Sequence, residues 1–130
     1  MYRRADASRA TDGQSTVEFA LLLPVVAFML AALFEVAMLL SDDARVAYAA
    51  REAARAAAVD PDEEAVEAAA RRSGLEELVL EVSPSPVMRA QGEPVTVRVA
   101  YKPSGRLPLA GLLSRTFTLR AEARMRIERP

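Results

Sequence analysis

Residues 17–40 read VEFALLLPVVAFMLAALFEVAMLL, and the reading of this stretch decides the rest. From Phe19 to Phe34 it holds 16 consecutive residues without a charge or a hydroxyl. As a helix with 1.5 Å rise per residue, the 24 residues extend about 36 Å, against a bilayer hydrocarbon core of about 30 Å. A core helix of this length would need a large apolar surface to bury it. About 90 residues follow, and many of them are charged or belong to Ala-rich helix, so the chain has no such surface to offer. The stretch is a transmembrane helix. Arg3, Arg4 and Arg9 precede it and Ser41-Asp42-Asp43 follows, so the positive-inside rule places the N-terminus in the cytoplasm and the C-terminal part outside. The apolar run exceeds the usual 7–15 residues of a secretory signal. Its only plausible small-x-small site, Ala47-Tyr48-Ala49, lies beyond three charged residues and inside a helical pattern, which argues against ordinary signal-peptidase cleavage.

The 130-residue chain is 52% hydrophobic but only 5% aromatic, and that apolar content is largely Ala and Leu. Its 17 Lys+Arg against 18 Asp+Glu leave a formal charge of -1, which removes the electrostatic drive for nucleic-acid binding. There is no Cys and no His, so thiolate or imidazole zinc sites, Cys–His and Ser–His–Asp nucleophiles, His-ligated haem and disulfides are excluded for this chain. Lys102 is the sole lysine and a weak candidate for Schiff-base chemistry. No nucleophile–base pair, phosphate-cradling loop or ligand set appears, so the expectation is a non-enzyme with no cofactor, no metal and no small-molecule substrate. The acid cluster Asp62, Glu63, Glu64 and Glu67 matches a first helical turn rather than a calcium loop, whose glycine it lacks.

Two carboxylates flank the apolar run. A carboxylate at mid-bilayer costs about 2.5–3.5 kcal/mol on insertion scales, so such groups usually have a partner. Glu18 stands at the cytoplasmic edge. Glu35 lies 17 residues later, about 25 Å along the axis and near the outer edge. At 100° per residue the two point about 100° apart and do not share a face. Both reach an interface, and Glu35 is a candidate for pairing at the membrane edge. Pro24 removes one helical N–H and crowds the carbonyl of Ala20, so a kink or loosened turn is expected there. Two uses are open: a break that lets the helix bend while leaving the bilayer, or an ordinary membrane-helix proline.

Beyond the membrane, Val46, Ala49, Ala50, Ala53 and Ala57 recur at helical spacing over residues 41–59, a narrow face of small residues suited to close packing on a sheet or on another helix. Asp60-Pro61-Asp62-Glu63 restarts the helix, with Asp60 as the expected cap, Pro61 at the first position and Glu63 completing a capping-box spacing. The second helix runs to about Ser73 and stops at Gly74. The period then becomes two. Leu78, Leu80 and Val82 alternate with Val79, Glu81 and Ser83; Val95 to Lys102 alternates likewise; and Phe117, Leu119, Ala121, Ala123, Met125 and Ile127 alternate with charged or hydroxylated neighbours from Thr116 to Glu128. Ser83-Pro84-Ser85-Pro86 interrupts pairing and Gln91-Gly92-Glu93-Pro94 reads as a turn. Leu107 to Leu113 is an apolar loop that closes the core, lies on the membrane or meets a partner. The expectation is an α+β fold, with a long N-terminal transmembrane helix, a second short helix, then an antiparallel sheet of three strands with a fourth left open.

Gly13-Gln14, Val17-Glu18-Phe19-Ala20, Leu23-Pro24, Phe34-Glu35 and the run Ala50-Arg51-Glu52-Ala53-Ala54-Arg55-Ala56-Ala57 resemble the TadE-like family of the Tad (tight adherence) pilus systems. Gly followed five residues later by Glu, at the cytoplasmic mouth of an apolar helix, is similar to the prepilin peptidase site of type IV pilin-like proteins. The chain departs from the family at Glu35, which is followed by Val36-Ala37-Met38 where the family often has Gly and a basic residue. The resemblance implies a minor pilin or pseudopilin of the bacterial inner membrane. Its leader, residues 1–13, would be cleaved between Gly13 and Gln14, leaving a transmembrane helix over 14–40, its continuation over 41–59 and an extracytoplasmic domain over 60–130. Glu18 and Phe19 would set the register of assembly. Partners implied are the prepilin peptidase, other pilin-like subunits, the assembly platform and membrane lipid. The alternative is an unprocessed single-pass protein anchoring a small extracytoplasmic binding domain.

Overall fold

The computed structural model of the chain describes residues 6–60, 62–103 and 117–128, with side chains from Gln14 onward. In chain order it contains α1 (Asp6–Val59), α2 (Glu63–Arg71), β1 (Val79–Ser83), a 3-10 turn (Pro86–Met88), β2 (Pro94–Tyr101) and β3 (Leu119–Arg126). The fold is α+β, a long apolar helix and a short one followed by a three-stranded antiparallel sheet in the order β1-β2-β3. The loop 107–113 and Pro61 lie outside the described residues.

The chain divides into two compact units between Val36 and Ala37. In the first, large apolar side chains from Val17 to Phe34, among them Phe19, Leu21, Phe28 and Leu33, are exposed. Each would cost roughly 1.5–3 kcal/mol to leave in water, so this part of α1 requires an apolar surrounding. It is long and apolar enough to cross a membrane. The helix continues through Pro24 and begins at Asp6, so Gly13 lies inside it and not at its start.

The second unit is built on the small-residue face of α1. Val46, Ala49, Ala50, Ala53 and Ala57 are all buried, and Ala54 and Ala58 join them, so the face is wider than its spacing suggested. They form one core with Val66 and Ala70 of α2, with Leu75, with Val95, Val97 and Val99 of β2, and with Ile127. Period-two alternation does the rest. Register pairs Leu80 with Val99 and Val82 with Val97 across β1 and β2, then Val95 with Met125, Val97 with Ala123 and Val99 with Ala121 across β2 and β3. Each of these rows faces the helices, and the intervening rows carry the polar residues.

Several local expectations are corrected. Asp62, not Asp60, caps α2: its extended backbone and its side chain, which accepts from Glu64 N–H at 3.2 Å, mark the cap position. Asp60 instead accepts from Asp62 N–H at 3.0 Å, a local turn that holds the cap in place. α2 ends at Arg71, two residues earlier than expected, and Gly74 follows at φ 75°, a backbone region that favours glycine. Leu78 and Phe117 fall outside the strands, and Phe117 is half exposed. Ile127 lies past the end of β3 yet is fully buried, because its N–H donates to Glu93 O at 2.9 Å and its own carbonyl accepts from Gly92 N–H at 2.9 Å. Glu128 N–H then donates to Ala58 O at 2.9 Å and latches this segment onto the end of α1.

The alanine face leaves no room for a longer side chain. Ala53→Leu should lower the stability of the full chain in detergent by about 1–3 kcal/mol in urea denaturation, from overpacking. Ile127→Ala should cost about 2–4 kcal/mol by opening a cavity. An effect below about 0.5 kcal/mol for both would contradict the packing described.

Candidate functional site

The motif around Gly13 lies wholly on α1. Gln14 and Glu18 are one turn apart, and the Gln14 amide Nε2 donates to Glu18 Oε1 at 3.3 Å on an exposed surface. That bond is neutral-to-charged, long and solvated, so it orients the carboxylate without neutralising it. Phe19, the next residue, is exposed. Gln14, Glu18 and Phe19 therefore form one presented group at the mouth of the apolar helix. Glu35 does not join them. It is only 5% exposed, and its Oε1 has no hydrogen-bond partner among the described residues.

A second polar arrangement was not expected from the sequence in its detail. The outward rows of the sheet bring Glu81, Arg98 and Glu122 side by side on three strands. Arg98 Nε donates to Glu122 Oε2 at 2.9 Å and its Nη1 lies 3.8 Å from Glu81 Oε2, while Arg124 Nε donates to the other Glu122 oxygen at 3.1 Å. The hydrogen bond and charge of Arg98, then the charge of Arg124, hold the Glu122 carboxyl below its ordinary range, and the same contacts raise the Arg98 guanidinium above its own. The charges that alternate along β3 lie on the outward face of the sheet. They are exposed, and they are also tied across strands. Period alone marks the face, but only the register shows that Arg98 meets two carboxylates.

Arg89 is the residue whose placement no pattern announced. It follows the exposed apolar pair Val87-Met88 of the 3-10 turn, yet is itself only 7% exposed. Its Nε donates to Pro84 O at 3.3 Å, bracing the turn, and its Nη1 and Nη2 have no partner among the described residues. No group of carboxylates suited to a metal ion occurs among the described residues.

Because the Glu122 carboxyl titrates below the unfolded value of about 4.3, its ion pairs add stability above that pH. The contribution is lost as pH falls through the lowered folded value. Glu122→Gln should therefore lower stability at pH 7, by a small amount since all partners are exposed, and converge with the parent as pH falls to 3, which flattens the acid limb. Identical acid limbs for the two proteins, by thermal unfolding from pH 3 to 7, would contradict this coupling.

Comparison with known proteins adds a partial resemblance. A family model described as TadE-like protein matches residues 13–55. Comparisons with curated proteins and with solved structures find no match. The matched stretch starts at the glycine before Gln14, runs through the apolar helix and ends within the alanine face of α1. The match covers about a third of the chain, and over residues 13–55 the chain is similar to the TadE-like family.

Proposed function

We propose that the chain is a minor pilin or pseudopilin of a Tad-type pilus or secretion system, serving pilus assembly and adherence. In this reading it is made as a precursor in the bacterial inner membrane, N-terminus in the cytoplasm, and is cut between Gly13 and Gln14 by a prepilin peptidase. The observation that carries it is the coincidence of three boundaries: the family match begins at Gly13, the apolar run begins at Phe19, and Gln14 stands one turn before Glu18.

The chemistry follows from that spacing. Cleavage leaves an α-amino group on Gln14 with an ordinary pKa near 7.7–8.0, largely protonated at cytoplasmic pH. A carboxylate at the membrane edge lowers its cost by pairing with such a cation. The amine has two carboxylates within reach in an assembly: Glu18 of its own helix, one turn on, and Glu18 of an adjoining subunit. Pairing with the neighbour fixes the axial register of stacked helices, because a displaced subunit leaves a charge unpaired in an apolar medium. Phe19 and the exposed apolar residues after it supply the sliding surface that this pair locks. The chain contributes structure and assembly; neither catalysis nor a cofactor enters.

One observation favours the second reading, an unprocessed anchor for an extracytoplasmic binding domain. α1 is helical from Asp6, so the Gly13–Gln14 peptide sits within hydrogen-bonded helix, and a protease must first unwind it into an extended strand. Glycine lowers that cost, since it destabilises a helix by about 0.5–1 kcal/mol relative to alanine.

The mass of the protein extracted from membranes, in cells with and without the prepilin peptidase, separates the two. The pilin reading expects loss of residues 1–13 only where the peptidase is present. Gly13→Leu should leave the precursor intact, and a full-length native protein in peptidase-positive cells would sink the reading. Glu18→Ala should insert into the membrane normally but fail to enter assembled complexes on co-purification. Undiminished incorporation of that variant would refute the amine–carboxylate register.

A further inference from the structure

Opposite sides of the extracytoplasmic unit carry opposite charge. The outward face of the sheet bears Arg98, Arg120, Arg124 and Arg126 against Glu81 and Glu122, and all six are exposed. Glu122 is shared by Arg98 and Arg124, whereas Arg120 and Arg126 have no ion pair among the described residues. Ala100 lies between Val79 and Arg120 in the register. Its short side chain leaves a hollow of about 520 Å³ bounded by Val79, Arg98, Arg120 and Glu122. Val79 is 68% exposed, an apolar surface beside the unpaired guanidinium of Arg120.

The acid surface lies on the far side of the core. α2 shares the core with the inward Val95, Val97 and Val99 through Val66 and Ala70, so it lies on the side of the sheet opposite the arginines. Its approach carries Asp60, Asp62, Glu63 and Glu64, all exposed. Asp60 and Asp62 accept backbone N–H bonds, but none of the four has a basic partner among the described residues. Within one subunit Arg126 lines a hollow with Val59, next to Asp60, but Arg120, at the other end of β3, does not meet the acids. Between two copies it can.

From this we infer that the outward sheet face of one copy receives the α2 acidic turn of a second copy. Glu64 would lie toward Arg120, and the Val79–Ala100 hollow would take the small side chains of the α2 surface. The inference deepens the pilin reading and rests on it. The contact is heterologous, using two different patches, so it propagates from subunit to subunit and does not close as a two-fold dimer. Charge complementarity sets its orientation and register, and it weakens as salt screens the exposed groups.

The chain has no cysteine, which allows a direct test on the full-length protein in membranes. Val79→Cys in one tagged copy and Ala68→Cys, one turn after Glu64 on the exposed side of α2, in another should form a mixed disulfide under mild oxidation. Arg120→Glu in the first copy should lower its yield roughly fivefold, and Glu64→Arg in the second should restore most of it. Protease resistance of the Arg120→Glu protein controls for folding. No mixed disulfide, a dominant Val79→Cys self-disulfide, or an unchanged yield with Arg120→Glu would overturn the contact. The mass of the same bands reports whether residues 1–13 are lost. Processed protein without the mixed disulfide overturns this contact alone, and uncleaved protein overturns the pilin reading alone.

Discussion

The α+β unit depends on the meeting of an alanine face with a valine face. Alanine side chains have no length with which to bridge a gap. The buried alanines of α1 can share a core with Val95, Val97 and Val99 only if the helix backbone lies close to the sheet. That proximity leaves little tolerance for volume in either direction. The main-chain latch from Glu128 to Ala58 acts on the same seam, closing the open end of the sheet over the last turn of the helix. The polar turn at Gly92 and the continuation past β3 exist to complete this contact, which is why Ile127, outside any strand, is among the most buried residues.

One helix serves two solvents, and its composition changes where the solvent does. From Phe19 to Phe34, α1 presents Leu, Phe, Val and Met on all sides, as expected of a segment surrounded by lipid. From Val46 onward it presents small residues on one face and Arg or Glu on the others, as expected of a segment with a protein on one side and water on the rest. The change of pattern carries both functions proposed for the chain, anchorage in the first part and presentation of a folded unit in the second. The family match ends inside the second part, so the matched segment consists of the anchor and the start of the packing face.

The elements governed by periodicity were legible in the sequence. The membrane helix, the alanine face and the alternation of the strands each repeat often enough to leave one reading. What a single sequence did not disclose are choices between near-equivalent neighbours. Asp60 and Asp62 are both competent caps, and the structure uses one as the cap and the other as its brace. Phe117 fits the apolar phase of β3 but falls before the strand begins, and Leu78 falls before β1. Of the motif residues, Gln14 and Glu18 were legible as a pair, since i and i+4 meet on any helix. The meeting of Arg98 with Glu81 and Glu122 was not, because it depends on the register between strands. The burial of Arg89 depends on tertiary packing that leaves no local mark.

A small core of alanine and valine releases less solvent-exposed area per residue than one of leucine and phenylalanine, and no disulfide supplements it. The sheet with α2 alone would therefore be a poor folding unit, and α1 is not an accessory tether but one of its two layers. Under the proposed function, this bears on movement between membrane and assembly. The residues that hold the sheet begin at Val46, six residues beyond the last apolar residue of the membrane stretch, Leu40. Drawing the apolar segment out of lipid and into contact with other helices exchanges one apolar surrounding for another and leaves the alanine seam untouched. Under the proposed function, separating anchorage from folding along a single helix lets a subunit change its surroundings while its folded unit keeps its structure.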